Sequence, residues 1–220
     1  STLILWLTFD EDMDILVQDG RVHFWSITDN DATHEPYFVE TGESMPSVLP
    51  LRQQQELKDM ALHTIQALGI QDGCLHFEAK YTPHGPVPLE VNLRMGGGEV
   101  YLFNKTIRGV DLVEQCAKIA VGEPLNLLVT PEPRCALATE QFLPERSGHI
   151  AAIQINPWVL KQQELVELEF ESKEGDYIAA PPAGYDCIGW ITAQGTTPKD
   201  ARAHLKELKK NVTITIQYDQ

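Results

Sequence analysis

Basic residues are scarce in this 220-residue sequence. Only 17 lysines and arginines stand against 32 acidic residues, which gives a formal net charge of −15. A protein of this charge is repelled by the phosphate backbone of nucleic acids and by anionic membranes. We therefore expect neither a nucleic acid nor a membrane as its partner. A metal ion bound together with a polyanionic nucleotide would relieve part of the local repulsion.

Paired cysteines and long apolar runs are also missing. The four cysteines form no CxxC pair and have no histidine at metal-ligand spacing; they are Cys74, Cys116, Cys135 and Cys187. This spacing favours buried free thiols over disulfides or a zinc site. The apolar opening, STLILWLTF, is shorter than the ~20 residues of a transmembrane helix and lacks the basic region of a signal peptide. It predicts a strand at 3–9 that has lost the residues before it, in a cytoplasmic protein.

Apolar periodicity predicts alternating strands and helices. A helical period runs over 51–68 and ends at Gly69, and the Asp19-Gly20 pair predicts a hairpin turn. Further strands are predicted at 12–18, 22–28, 73–82, 87–94, 135–143, 149–155, 165–171, 187–194 and 211–218, and further helices at 109–121 and from about Pro198. This order predicts an α+β fold, with a mostly antiparallel sheet and flanking helices.

The stretch VPLEVNLRMGGG, at 87–98, places three polar side chains on alternate positions of one predicted strand: Glu90, Asn92 and Arg94. The TPHGP turn before it brings Glu78 of the preceding strand to the same face. Two carboxylates and an amide oxygen are ligands that Mg²⁺ accepts beside phosphate oxygens and water, and an arginine fork suits a phosphate. The residues therefore favour a magnesium–phosphate site, although a strand with one solvated face remains the simpler alternative.

The same residues resemble the metal-binding core of the ATP-grasp ligases. Glu78, the run Glu90-Val91-Asn92-Leu93-Arg94 and the pair Gly96-Gly97 match the pattern E…ExNxRxGG, which lies on two adjacent strands of the C-terminal ATP-grasp lobe. The stretches DMDILVQDGRVHFWSITDN and GVDLVEQCAKIAVGEP resemble segments on either side of that core. The stretches ERSGHI and TPKDARAHL resemble the amino-acid ligase branch of the family. The resemblance covers nearly the whole chain.

The resemblance implies an ATP-grasp C-terminal lobe at 1–125, followed by a small α+β subdomain at 126–220. It implies that Glu78, Glu90 and Asn92 hold Mg²⁺, with Mn²⁺ as an alternative. Arg94 would be the catalytic residue and would bind the ATP phosphates together with Gly96 and Gly97. The implied reaction phosphorylates a carboxylate with ATP, and an amine then displaces the phosphate to form an amide, as in dipeptide synthesis.

The implied partners are small amino-acid substrates and an N-terminal lobe of the same chain, and a homo-oligomer is left open. The main alternative is a non-catalytic ATP-grasp scaffold, favoured by the stretch LILWL where the family's hinge carries a glutamate. A carboxylase is a third reading by fold analogy alone. Among the other polar residues, His76 is expected to be structural, Asp12 and Asp14 to lie near the hinge or on a solvated edge, and Lys105 and Arg108 to bind substrate or lie in a solvated loop.

Overall fold

The computed structural model describes residues 10–33, 36–130 and 132–218. The strand predicted at 3–9 and the LILWL stretch lie outside these residues. The chain divides into two compact units, one formed by Ser1–Asn30 with Met45–Arg134 and the other by Asp31–Ser44 with Cys135–Gln220. Compared with the division expected at 125/126, the first unit continues to Arg134, and the segment 31–44 belongs to the second unit.

Within the residues described, the first unit has four strands and three helices. These are β1 (Asp10–Gln18), β2 (Arg21–Asn30), β4 (Gly73–Thr82), β5 (Gly85–Asn92), α1 (Leu51–Leu68), α2 (Val100–Phe103) and α3 (Leu112–Val121), with a π-helical turn at Asn104–Arg108 between α2 and α3. The strands lie in the order β5-β4-β1-β2, and every neighbouring pair is antiparallel. This confirms the predicted hairpins, and Asp19 and Gly20 both adopt the positive φ that the first turn requires.

One face of this sheet is apolar and packs against α1. Met13, Ile15 and Phe77 alternate along their strands and meet Leu57 and Ile65 of the helix in a buried cluster. The helix follows Pro50 and ends at Gly69, which has the left-handed φ of 69° that caps a helix at its carboxyl end. The bounds of α1 are those predicted, because a single helical period and a glycine stop define them.

The opposite face of the sheet changes character along the strands. At one end Leu16, Phe24 and Cys74 pack against Val100 and Leu112, which begin α2 and α3. At the other end the residues of the same face are polar, from Asp14 and His76 onward. The two short helices therefore cover the apolar end of this face, and its polar end holds the candidate site.

The described part of the second unit contains strands of two sheets and one long helix. Its elements are β3 (Gly42–Met45), β6 (Ala136–Phe142), β7 (Gly148–Ile155), β8 (Leu165–Phe170), β9 (Tyr177–Ile178), β10 (Gly189–Gly195), β11 (Val212–Tyr218) and α4 (Pro198–Lys209), with a 3₁₀ turn at Val159–Lys161. The strands are ordered β3-β6-β10-β8 and β11-β7-β9. Helix α4 packs on β6 and β10, and Ala201, Leu205 and Leu208 enter the core.

The structure confirms the predicted α+β class and the antiparallel pairing. It differs from the prediction at three places. The strand predicted at 87–94 ends at Asn92, and the helix predicted at 109–121 begins at Leu112. The helical segments between 100 and 108 were not predicted. All four cysteines are reduced thiols, as predicted, but only Cys74 is buried. In the described part of the chain, no helix has the length and apolar composition needed to cross a membrane.

Candidate functional site

The pairing of β4 with β5 places the two predicted carboxylates directly opposite each other. Glu78 is the partner of Glu90, and His76 is the partner of Asn92. Directly opposed side chains of an antiparallel pair point to the same face, and like charges there are destabilising unless a cation offsets them. The predicted combination of Glu78, Glu90 and Asn92 on one sheet face is therefore what the structure has.

The central strand β1 adds two carboxylates that the sequence left undecided. Asp12 is the register partner of Glu78, and Asp14 is the partner of His76. Since β1 lies between β2 and β4, the alternative that these residues occupy a solvated edge is wrong. The sequence did contain a signal for these two site residues: Asp12 and Asp14 have the same i, i+2 spacing as Glu90 and Asn92. Recognising them as part of the site required knowing which strand pairs with β1.

His76 lies among three carboxylates. Its Nδ1 is 3.5 Å from Asp14 Oδ1, and its Nε2 is 3.8 Å from Asp12 Oδ2 and 3.9 Å from Glu78 Oε1. Burial lowers the pKa of the imidazole, but the contact with Asp14 and the negative charges of Asp12 and Glu78 outweigh burial, so the pKa lies above its ordinary value. His76, expected to be structural, is thus a buried residue of β4 that contacts two carboxylates of β1.

Arg94 does not share the strand with Glu90 and Asn92. Strand β5 ends at Asn92, and Arg94 is an exposed residue of the following turn whose Nη1 donates to the Met95 carbonyl at 3.0 Å. Lys105 lies further on, in the π-helical turn, and its ammonium pairs with Asp111 at 3.0 Å. Both cations are exposed; Arg94 follows the carboxylate pair most directly along the chain, and Lys105 is already paired with Asp111.

The residues present fit a magnesium ion bound together with phosphate. Within the described ranges, no three His, Cys, Asp or Glu side chains form a metal-binding group, so a metal held by protein side chains alone is not indicated. Mg²⁺ commonly takes only one or two carboxylates and completes its shell with phosphate oxygens and water. The Asn92 side-chain nitrogen is buried and makes no hydrogen bond to any described residue; as a donor it suits a phosphate oxygen, and the amide oxygen would be the metal ligand.

The two glycines predicted to bind the nucleotide differ in their surroundings. Gly96 is buried, and its N–H donates to Asp14 Oδ1 at 3.1 Å. A Cβ at this position would lie 2.7 Å from Val100 Cγ2 and 2.8 Å from His76 Nδ1. Gly97 is exposed, and no atom lies within 4 Å of the Cβ it would carry. Close packing thus explains why position 96 is a glycine, whereas a side chain at position 97 would meet open space.

Gly96→Ala should lower the free energy of unfolding by about 1–3 kcal/mol, because the added methyl overlaps Val100 and the imidazole of His76. Gly97→Ala is the matched control and should change stability by less than about 0.5 kcal/mol. Urea unfolding of the two variants measures the difference. Equal effects of the two substitutions would show that Gly96 is not packed as described.

Comparison with known families finds two matches that together cover most of the chain. Residues 19–128, half of the chain, match the model of the carbamoyl-phosphate synthase L chain, ATP binding domain. Residues 140–217 match the model of the L-amino acid ligase C-terminal domain 2. The first match contains Glu78, Glu90, Asn92 and Arg94, and the second lies in the second compact unit.

Curated relatives include the carnosine synthases 1 of two vertebrates. The chicken protein (Gallus gallus) is 34% identical over 188 residues, which are 82% of this chain and 20% of the relative. The human protein is 31% identical over 125 residues, which are 57% of this chain and 15% of the relative. The chain thus spans a fifth or less of the length of these relatives.

Solved structures share the fold at lower identity. The L-amino acid ligase from Bacillus licheniformis superposes with a TM-score of 0.85 at 21% identity, over 96% of this chain and 52% of that one. A phosphoribosylglycinamide synthetase from Anaerococcus prevotii gives 0.82 at 20% identity, over 94% and 53%. The fold, the matched family models and the paired carboxylates agree, and the chain belongs to the ATP-grasp ligase family.

Proposed function

We propose that this chain carries part of the active site of an ATP- and Mg²⁺-dependent ligase that joins a carboxylate to an amine. The observation that carries the proposal is the direct opposition of Glu78 and Glu90, with Asn92 on the same face. A chain without a cation to bind has no reason to place two carboxylates opposite each other. Membership in the ATP-grasp ligase family supplies the reaction class.

The roles of the residues follow from their chemistry. Glu78, Glu90 and Asn92 would hold Mg²⁺, or Mn²⁺ in its place, and the bound ion would neutralise the charge of the ATP phosphates. The face they share is strongly acidic, so it repels nucleotide phosphates when no ion is present. The Arg94 guanidinium would bind phosphate oxygens through its N–H donors. The open space at Gly97 allows the nucleotide to approach the backbone.

The substrate class is supported by the names of the relatives, which include carnosine synthases and an L-amino acid ligase. In the proposed reaction, a carboxylate oxygen of one amino acid attacks the γ-phosphorus of ATP, and ADP leaves. The amine of a second molecule then attacks the carbonyl carbon of the acyl phosphate. Inorganic phosphate leaves, the nitrogen loses a proton, and an amide bond remains. The products are a dipeptide, ADP and phosphate.

The proposal includes a cytoplasmic location and a contribution from other parts of the same protein. The relatives extend well beyond the matched region. We therefore expect the phosphate-binding lysines of the reaction to come from residues outside this chain. Oligomerisation is not needed for any of these roles.

ADP release by the intact protein tests the proposal. The assay contains Mg²⁺, ATP and a panel of amino-acid pairs, and the expected result is ADP formed in equal amount to a dipeptide product. Omission of the acid should reduce ADP release to background, because no acyl phosphate forms without it. Omission of the amine should limit ADP release to about one turnover, because only the amine consumes the acyl phosphate. Absence of both turnover and Mg²⁺-dependent ATP binding would refute the ligase and support a non-catalytic scaffold.

A further inference from the structure

Asp14 is a fully buried carboxylate at the edge of the candidate site. Its exposed fraction is 0%. Oδ1 accepts the N–H of Gly96 at 3.1 Å and lies 3.5 Å from His76 Nδ1, and Oδ2 accepts from Asn104 Nδ2 at 3.4 Å. One side chain of β1 therefore contacts strand β4, the turn after β5 and the π-helical turn.

These contacts join parts of the chain that are far apart in sequence. Gly96 is 82 residues from Asp14, and Asn104 is 90 residues away. Asn104 is itself 0% exposed and donates to the Val100 carbonyl at 2.9 Å. The turn that begins after Asn92 is thus attached to the sheet by a buried carboxylate at Gly96, two residues after Arg94.

Packing alone does not account for a carboxylate at this position. The next residue of β1 on the same face is Leu16, which is buried in an apolar cluster with Phe24 and Cys74. An apolar residue at position 14 would extend that cluster without the desolvation cost of a buried charge. Aspartate provides instead two acceptor oxygens with fixed directions, one toward the glycine turn and one toward the π-helical turn.

We propose that Asp14 is a positioning residue that fixes the turn carrying Arg94 relative to Glu78 and Glu90. This inference rests on the proposed ligase function, because it assigns to Asp14 the alignment of the phosphate-binding arginine with the metal ligands. Asp14 acts through the backbone N–H of Gly96, two residues after Arg94. Phosphoryl transfer depends on such alignment, and a displacement of about 1 Å can cost about 10²-fold in rate.

The proposal separates two properties of the site. Glu78 and Glu90 are held by the hydrogen bonds of the β4–β5 pair, which do not involve Asp14. Arg94 lies outside the strands and depends on the turn. Loss of Asp14 should therefore impair phosphoryl transfer much more than metal binding.

The test compares Asp14→Ala, Asp14→Asn and Leu57→Ala in the intact protein. Asp14→Asn keeps an oxygen acceptor for the Gly96 amide, and Asn104 Oδ1, which has no hydrogen-bond partner in the described ranges, can receive the new N–H. Leu57 is 0% exposed and packs on the α1 side of the sheet, so Leu57→Ala destabilises the same unit without contacting the Asp14 network. The readouts are kcat and KM for ATP, the affinity for Mn²⁺, and hydrogen exchange at the Gly96 amide.

Asp14→Ala should reduce kcat by about 10²-fold, leave the affinity for Mn²⁺ within about threefold of wild type, and accelerate exchange at Gly96 by about tenfold. Asp14→Asn should restore kcat to within about tenfold of wild type, and Leu57→Ala should keep both kcat and Gly96 exchange near wild type. Wild-type kcat in Asp14→Ala, or an equal loss in Leu57→Ala, would overturn the proposal. If the wild-type protein releases no ADP, the ligase function has failed. Unchanged Gly96 exchange in Asp14→Ala would then still refute the role of Asp14.

Discussion

Replacing Glu90 with glutamine should reduce ADP release by about 10²–10³-fold while leaving the fold intact or slightly more stable. The substitution keeps the shape of the side chain and removes the negative charge that would help to hold the metal and its bound phosphates, a class of interaction worth about this factor. Glu90 lies directly opposite Glu78. Removing one of two facing like charges should raise the free energy of unfolding by up to about 1 kcal/mol.

Opposite signs of the effects on activity and stability distinguish a ligand from a structural residue. The matched control is Glu169→Gln, an exposed glutamate in the strand β8 of the second unit, which should leave both quantities unchanged. Initial rates of ADP release and urea unfolding curves of the two variants provide the comparison. Retained activity in Glu90→Gln would remove this residue from the proposed site, and lost activity that accompanies lost stability would assign it a structural role.

Replacing Glu11 with glutamine should stabilise the protein at alkaline pH. Glu11 is 2% exposed on β1. Burial raises the pKa of its carboxyl to about 8, the N–H of Tyr81 partly opposes this by donating to Oε2 at 3.1 Å, and the charges of Asp29, Asp10 and Asp12 raise it further. The folded protein therefore retains a proton that the unfolded chain, with an ordinary pKa of 4.5, has already lost.

The direction of the pH effect follows from this difference. Because the folded-state pKa is raised, the contribution of Glu11 to the free energy of unfolding is largest below pH 4.5 and falls as the pH rises to about 8. Above that pH the contribution of Glu11 no longer changes. Glu11→Gln removes the dependence, and the variant should exceed the wild type in free energy of unfolding by on the order of 5 kcal/mol at pH 9, with little difference at pH 4.

Urea unfolding of the intact protein at pH 4, 6 and 9 measures this prediction. Glu123→Gln is the control, since Glu123 is an exposed residue that follows α3. A stability difference between Glu11→Gln and the wild type that is the same at all three pH values would mean that Glu11 titrates normally. Ionisation of Glu11 would then not be a cause of lower protein stability at alkaline pH.

The core of the candidate site was predictable because it is local. Glu78 and Glu90 lie on the two strands of one hairpin, so the turn at Pro83-His84 nearly fixes which residues face each other. A bulge between Glu78 and Ala79 sets the register that opposes Glu78 to Glu90. Arg94 was assigned to the strand in error, because alternation alone does not reveal that the ladder stops at Asn92.

The contribution of β1 was not predictable in the same way. Asp14 meets His76 and Gly96 only because β1 pairs with a strand that begins more than fifty residues later, and no local pattern specifies that pairing. The helical segments between 100 and 108 were also missed. They include a π-helical turn at Asn104–Arg108, whose side chains do not follow the 3.6-residue period used to recognise helices.

The most direct test of the proposed metal site measures Mn²⁺ binding by the intact protein in the presence of a non-hydrolysable ATP analogue. The electron paramagnetic resonance signal of the free ion reports how much Mn²⁺ remains unbound. The wild type should bind Mn²⁺ in an analogue-dependent manner, and the double variant Glu78→Gln, Glu90→Gln should lose this binding while remaining folded. Equal, analogue-dependent binding of Mn²⁺ by the wild type and the double variant would contradict the assignment of the metal to this face of the sheet.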